Sequence, residues 1–334
     1  MKYLFIGIFF FVSCNSQKKT VQIDNEDILE KYVAEISEAS LRENLTVIAS
    51  DEMQGRDTGS EGIRKAAAYI VSEYEKEGIG YPPKAEGWFQ TVPSAFMRNR
   101  YNDSDNIWAY IEGSEYPDEV LVLSAHYDHV GEMFGKVYNG ADDNGSGTVA
   151  VMEIAKVFAK AAKEGHRPKR SILFLHVTGE ERGLLGSDYY SQHPLYPLEN
   201  TIANINIDMI GRIGNLHKDG NYIYVIGSDR LSTDLHNINE AVNSKYANLN
   251  LDYKYNDRND PEQIYYRSDH YNFAKHGIPS VFFFNGVHAD YHMATDTVEK
   301  IEFEALHKRT QLIFALAWEL ANRSERIKVD RDGN

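Results

Sequence analysis

The sequence predicts an α/β fold in which helices cover both faces of a mainly parallel, mixed central sheet. Short apolar runs alternate with amphipathic helical segments along most of the chain. Several of these runs are almost wholly apolar, as expected for strands buried on both faces of a sheet. No internal repeat or change in composition divides the 334-residue chain after Glu26. We therefore expect one domain, although the length is near the upper limit for a single core.

The predicted elements alternate after two N-terminal helical segments. Apolar side chains recur at helical spacing from Glu26 to about Ser50 and again from Ile63 to Tyr74, which predicts helices there. The later apolar runs predict strands at residues 107–111, 120–123, 171–177, 202–207, 222–226 and 281–284. The other amphipathic segments predict helices at residues 148–162, 184–191, 231–242 and 303–321.

The first residues have the pattern of an export signal. A basic start at Lys2 precedes a largely apolar run from Tyr3 to Val12, which is shorter than the about 20 residues that span a bilayer. The run leads to Cys14, the only cysteine, and residues 11–14 (FVSC) resemble a bacterial lipobox. We predict a lipoprotein signal peptide at residues 1–13, a lipid anchor on Cys14 and a polar tether at residues 14–25. The protein would then be exported and anchored to a bacterial membrane, at the periplasmic or cell-surface side.

Composition limits the other partners. Fifty acidic and 35 basic residues give a net charge of −15, which repels phosphate backbones, so nucleic acid is not an expected partner. A single cysteine excludes an internal disulfide framework. The folded domain is predicted at residues 26–326, followed by a polar tail at residues 327–334.

Carboxylates and imidazoles follow successive predicted strands. In parallel sheets the chemistry gathers beyond the carboxyl ends of the strands, so these side chains are expected to converge. An Asp-Asp-Asn-Gly segment just before the 148–162 helix is expected to join them. The residues concerned are His126, Asp128, Asp142, Asp143, Glu180, Glu181, Asp208 and His292.

The converging residue types are those of a metal site. Imidazole and carboxylate ligands suit zinc when no thiolate is at hand. Two histidines with three carboxylates exceed the three protein ligands of a usual catalytic zinc, and they fit two ions about 3.5–4 Å apart that share a carboxylate. Asp128 lies two residues after His126, where its carboxylate would accept the second ring N–H of that histidine. The adjacent Glu180 and Glu181 side chains should diverge, one towards metal and one towards the shared water.

Taken singly, each residue has an ordinary structural explanation. Asp-Asp-Asn-Gly is a common turn, and His176, in the middle of a strand, is expected to be a hydrogen-bonded core residue. His129 is assigned no functional role, and no motif requires His288. The convergence at successive strand ends is what favours a functional site.

Five ordered motifs resemble peptidase family M28, the co-catalytic zinc aminopeptidases. They are residues 124–131 (SAHYDHVG), 140–147 (GADDNGSG), 179–187 (GEERGLLGS), 206–211 (NIDMIG) and 290–292 (DYH). The resemblance extends from residues 53–60 (MQGRDTGS) to the final helix. A protease-associated domain, inserted in some members, is not expected because only a short stretch separates Gln90 from Ile107.

The resemblance implies a single-domain zinc-exopeptidase fold and a peptide substrate with a free N-terminus. It implies two zinc ions: His126 and Asp208 bind one, Glu181 and His292 bind the other, and Asp142 bridges them. It also implies three catalytic side chains: Glu180 as general base, Asp128 orienting His126, and Tyr291 donating a hydrogen bond to the tetrahedral oxyanion. Ser268, Asp269 and His270 also resemble the family's sequences, and no role beyond lining the cleft is assigned to them.

Two other functions remain open from the sequence. One is a single-zinc glutaminyl cyclase on the same fold, against which the complete set of five metal-ligand candidates argues. The other is a non-catalytic receptor or binding protein, against which the presence of Glu180 argues. Zinc stoichiometry and a rate on an aminoacyl chromogenic substrate separate these alternatives.

Overall fold

A computed structural model describes residues 21, 23 and 25–333 of the chain. The predicted signal peptide, the anchor at Cys14 and most of the tether lie outside the described residues and stay predictions. Within the described part, no helix has both the length and the apolar character needed to cross a membrane.

The described part of the chain contains the following regular elements. The α-helices are α1 (Glu26–Val33), α2 (Glu38–Ile48), α3 (Glu61–Lys76), α4 (Gly147–Lys163), α5 (Leu185–Gln192), α6 (Thr233–Val242), α7 (His270–Ala274) and α8 (Phe303–Asn322). The strands are β1 (Phe89–Val92), β2 (Ser104–Ile111), β3 (Tyr116–His126), β4 (Glu132–Met133), β5 (Lys136–Val137), β6 (Arg170–Val177), β7 (Thr201–Ile207), β8 (Tyr222–Ile226), β9 (Asn250–Asp252) and β10 (Ser280–Phe284).

A mixed sheet forms the centre of the molecule, as predicted. Its strand order among the described residues is β1-β2-β6-β3-β7-β10-β8-β9. The four central strands, β6, β3, β7 and β10, run parallel to their neighbours within this group. Strands β2 and β8 pair antiparallel at either side of the group. The carboxyl ends of the four parallel strands therefore meet at one edge of the sheet.

Helices cover both faces of the sheet, and alternate residues of each central strand face opposite cores. In β3, Leu121 and Leu123 pack with the helical side chains of one core, while Val120 and Val122 belong to another. All four side chains are buried. Burial on both faces explains why this strand reads as a continuous apolar run rather than an alternating one.

Several short elements were not predicted. Strand β1 has alternating exposure and lies at a sheet edge, β9 has only three residues, and β4 pairs with β5 as a two-residue hairpin. Such pieces are too short to show a hydrophobic period. The predicted polar tail also packs: Ile327 is buried, and the N–H of Asp330 donates to the Leu231 carbonyl.

His176 is a core residue, as the sequence predicted. Its Nε2 lies 2.6 Å from the Tyr74 hydroxyl in a hydrogen bond, and its side chain is inaccessible to solvent. Burial lowers the pKa of His176 to about 3. In the unfolded chain the pKa is about 6.5. Between these values the unfolded state binds a proton that the folded state does not, so stability is lost as the pH falls below 6.5.

We expect protonation of His176 in the unfolded state to lower the unfolding free energy of the metal-free protein by about 2 kcal/mol between pH 7 and pH 5. Denaturant unfolding of the chelator-treated protein at the two pH values measures this loss. The loss should be smaller by that amount in His176→Gln, while His193→Gln, at an exposed histidine, should behave like the parent chain. Equal losses in all three proteins would contradict the assignment.

Candidate metal centre

The first pair of predicted ligands meets at the ends of two adjacent parallel strands. His126 is the last residue of β3, and Asp208 immediately follows β7. Nε2 of His126 lies 3.3 Å from Oδ1 of Asp208. Glu180, in the turn after β6, places Oε2 4.0 Å from the same Nε2. The predicted convergence at this edge of the sheet is therefore present.

A second pair lies beside the first. Oε2 of Glu181 is 3.0 Å from Nε2 of His292. The Tyr291 ring stacks on the His292 ring, with centroids 3.9 Å apart. Glu180 and Glu181 thus point to different histidines, as expected for adjacent side chains.

The carboxylate between the two pairs belongs to Asp143. Its Oδ1 lies 3.4 Å from Nε2 of His126, and its Oδ2 lies 3.0 Å from Nε2 of His292. The side chain is nearly inaccessible to solvent, at 4% exposure. Asp143, with one oxygen towards each histidine, occupies the position predicted for Asp142.

The structure corrects the prediction for Asp142, whose carboxylate faces away from both pairs of ligand candidates. Its Oδ1 accepts hydrogen bonds from the Gly211 N–H at 2.6 Å and from the Ser146 hydroxyl at 3.0 Å. Its Oδ2 lies 3.0 Å from Nε2 of His288. These three partners hold Asp142 in the wall behind the site. They also explain the position of His288, for which the sequence offered no task.

Two buried charged residues fix the loop that presents Asp143. The Asp296 carboxylate accepts the backbone N–H groups of both Asp142 and Asp143, at 3.0 and 3.1 Å. The Arg56 guanidinium donates to the carbonyls of Tyr127 and Gly140, at 2.8 and 2.9 Å, and is fully buried. Arg56 thereby ties the loop after β3 to the loop before α4.

Asp128 lies next to His126, but its carboxylate is not the hydrogen-bond partner that was predicted. Nδ1 of His126 is 3.2 Å from the backbone oxygen of Asp128 and 3.7 Å from its Oδ1. The carboxylate accepts the Thr58 hydroxyl and the Glu180 backbone N–H, at 3.1 and 3.2 Å. Asp128 therefore orients the His126 ring mainly through its carbonyl and also anchors the turn that carries Glu180.

Ser268, to which the sequence assigned no role beyond lining the cleft, orients Asp208. Its hydroxyl donates to Oδ2 of Asp208 at 2.6 Å and accepts from the Asn206 amide at 2.8 Å. This leaves Oδ1 of Asp208 free to face His126. The neighbouring Asp269 accepts the Ser187 hydroxyl at 2.5 Å.

His129 belongs to the cluster, contrary to its sequence assignment as a residue without function. Its ring is fully buried, and Nδ1 lies 3.0 Å from Oε1 of Glu181 and 3.7 Å from Oδ2 of Asp143. The ring rests against Gly140, where an added Cβ would come within 2.5 Å of the ring carbons. His129 lies in a loop, three residues after His126. No helical or strand periodicity in the sequence therefore indicated this contact.

The buried imidazoles and carboxylates of the cluster shift one another's pKa values. Burial alone would lower the pKa of His126, but the Asp208 and Glu180 carboxylates outweigh it and raise that pKa well above its usual value. Burial likewise opposes charge on Asp143, yet contacts with His126 and His292 hold its pKa well below the usual range. Burial raises the pKa of Glu180 well above its usual value, and the Asp208 and Asp269 carboxylates add to this. Glu180 therefore takes up a proton more readily than an exposed glutamate does.

Among the described residues, four buried polar atoms without hydrogen-bond partners line one side of the cluster: Nδ1 of His129, Oδ2 of Asp143, Oε1 of Glu181 and Nε2 of His292. Buried polar atoms are normally satisfied, so these atoms call for a ligand. Donors about 2.0–2.1 Å from a tetrahedral zinc stand about 3.3 Å apart, and the contacts of Asp143 with His126 and His292 are 3.4 and 3.0 Å. Spacing and donor types therefore fit zinc.

A cavity opens beside the carboxylates. Its polar lining comes from the cluster itself, including Asp143, Glu180 and Glu181, and from Arg267. The rest of the lining is largely apolar and is formed by Met209, Ile264, Phe282, Phe284, Val287 and Tyr291. The site thus combines a group of titratable side chains with a pocket that suits an apolar side chain.

The resemblance stated from the motifs is confirmed by comparison with known proteins. The family model described as Peptidase family M28 matches residues 106–317. A probable zinc metalloprotease of Pyrenophora teres f. teres is 30% identical over 203 residues, which cover 56% of this chain and 39% of that protein. Aminopeptidase YwaD of Bacillus subtilis is 29% identical over 229 residues, covering 64% of this chain and 44% of that protein. The chain thus spans less than half the length of these two curated relatives.

Solved structures confirm the fold. LapB of Legionella pneumophila has a TM-score of 0.73 and 21% identity, covering 90% of this chain and 77% of that one. The aminopeptidase of Aneurinibacillus sp. strain AM-1 has a TM-score of 0.67 and 15% identity, covering 91% and 98%. The glutaminyl cyclase of Porphyromonas gingivalis, at a TM-score of 0.66 and 18% identity, covers 85% and 98%. At these low sequence identities, the structural similarity supports the fold alone. The matched residues 106–317 exceed half of the chain, and the chain belongs to peptidase family M28.

Proposed function

We propose that the chain is a di-zinc aminopeptidase, a hydrolase that removes N-terminal residues from peptides. The observation that carries this proposal is the position of Asp143, which directs one carboxylate oxygen to His126 and the other to His292. A single shared carboxylate between two sets of donors is the arrangement expected for a two-metal site. The aminopeptidase and zinc metalloprotease names of the relatives agree with it.

The residues that would hold the two ions follow from the contacts. His126 and Asp208 would bind one ion, Glu181 and His292 the other, and Asp143 both. Bound zinc would lower the pKa of a water molecule and polarise the scissile carbonyl. Ser268 and the Asp128 carbonyl would keep Asp208 and His126 directed at the first ion.

Glu180 is proposed as the general base. Its Oε2 lies 4.0 Å from Nε2 of His126, farther than the nearest oxygens of Asp143 and Asp208, at 3.4 and 3.3 Å. In the proposed reaction Glu180 takes a proton from the attacking water, whose oxygen bonds to the scissile carbonyl carbon. Glu180 then passes this proton to the leaving nitrogen as the C–N bond breaks. The products are a free amino acid and the shortened peptide, and Glu180 is returned to its carboxylate form.

The surroundings suit a peptide N-terminus. The carboxylates of the cluster would attract the charged amino group, and the apolar pocket beside them would receive the first side chain. Tyr291 lines the same pocket, and we propose that its hydroxyl donates a hydrogen bond to the carbonyl oxygen as negative charge develops there.

Elemental analysis of the metal-saturated full chain is expected to give two zinc ions, with release of amino acid from peptides that have a free N-terminus. Removing zinc with a chelator should abolish the activity, and adding zinc should restore it. One zinc at saturation with full activity, or cyclisation of N-terminal glutamine in place of hydrolysis, would favour the glutaminyl cyclase alternative. Two zinc ions without any hydrolysis would favour a binding protein.

A further inference from the structure

His129 is the one histidine of the cluster that the proposed function leaves unused. It is not a surface side chain brought near by chance, since its ring is fully buried and packs against Gly140. Its backbone N–H donates to the Arg56 carbonyl, which fixes the loop that carries it. Both ring nitrogens are without hydrogen-bond partners among the described residues.

Nδ1 lies at metal-ligand spacing from two of the proposed donors, the carboxylates of Asp143 and Glu181. Nδ1 is 3.0 Å from Oε1 of Glu181, but the two atoms do not form a hydrogen bond, and both remain unsatisfied. Ligand atoms of His129, Asp143 and Glu181 all lie within 4.8 Å of one another, a spacing that could hold an ion. His292 faces the same two carboxylates, and its ring stands edge-on to the His129 ring with centroids 5.8 Å apart.

We propose that His129 binds, through Nδ1, the same metal ion as Asp143, Glu181 and His292. This inference rests on the proposed two-metal function. It makes the two sites unequal. The ion beside His129 has four protein residues as ligands, which fills a tetrahedral site, while the ion beside His126 has three. An open coordination position would therefore lie on the His126 side, next to Glu180.

Unequal sites predict unequal affinities. When the chelator-treated full chain is titrated with zinc against a competing chromophoric chelator, two separate binding steps are expected. In His129→Gln the tighter step should weaken by at least the about 10–100-fold that loss of even an indirect metal contact costs. The weaker step should not change. His176→Gln is the matched control, because it also removes a buried imidazole, and it should keep both affinities.

A second measurement uses the unaltered protein and distinguishes a ligand from a residue that only positions Glu181. With cobalt(II) in both sites, proton NMR should show three solvent-exchangeable imidazole N–H signals with large paramagnetic shifts, from His126, His129 and His292. Two such signals, or unchanged zinc affinities in His129→Gln, would overturn the assignment of His129. A protein that binds one ion only would overturn the proposed two-metal function itself. The two failures are thus distinguishable.

Discussion

Glu180→Gln is expected to lower the rate of peptide hydrolysis by about 10²–10⁴-fold or more, while both zinc ions and the fold are retained. The amide has nearly the same shape as the carboxylate but cannot accept the proton of the attacking water. The role proposed for Glu180, which lies 4.0 Å from Nε2 of His126, is proton transfer rather than metal binding, so the substitution should affect metal binding little. Steady-state rates, zinc content and thermal unfolding of the same preparation measure the three effects.

The neighbouring Glu181→Gln variant is the matched control for this prediction. Both oxygens of Glu181 face histidines, Oε1 towards His129 and Oε2 towards His292, each at 3.0 Å. Its amide should therefore weaken one metal site, and added zinc should partly restore activity, whereas added zinc should not rescue Glu180→Gln. If Glu180→Gln loses metal and Glu181→Gln keeps it, the two roles are reversed. If both variants remain fully active, the chain is not a peptidase of the proposed mechanism.

The central sheet was predictable because its strands are long and buried on both faces. The apolar runs at residues 107–111, 120–123, 171–177 and 202–207 all lie in strands of the sheet. The convergence of His126, Glu180 and Asp208 followed from the rule that parallel strands end at one edge. The strand order did not follow from the sequence, because pairing depends on contacts between distant segments.

The errors within the site come from segments that have no period. Residues 141–146 contain non-helical backbone at Asp143 and Asn144, so spacing along a strand or helix could not decide which of two adjacent aspartates faces the histidines. The choice depends on partners far away in the chain: Gly211 and His288 hold Asp142, and Asp296 holds the backbone. His129 was missed for the same reason, since its contact is with Glu181, more than fifty residues later.

Asp143→Asn is expected to lose metal from both sites and to reduce the hydrolysis rate by more than the about 10–100-fold that loss of an indirect metal contact costs. Each oxygen of Asp143 faces a different histidine. The amide has one oxygen and no charge, so it cannot serve both ions. Zinc content and rate should therefore fall together, and added zinc should not restore the parent rate.

Asp142→Asn separates this prediction from a general effect of altering the loop. Asp142 makes hydrogen bonds with Gly211, Ser146 and His288 and none with the metal-facing side chains. We expect this variant to bind two zinc ions and keep most of its activity, but to lose about 1–3 kcal/mol of unfolding free energy, since a buried charged acceptor is replaced. Denaturant unfolding of the zinc-loaded protein measures that loss. The opposite pattern, in which Asp142→Asn loses zinc and Asp143→Asn retains both ions, would return the bridging role to Asp142. The adjacent pair thus tests, one residue at a time, whether the carboxylate between the histidines is the one that holds both ions.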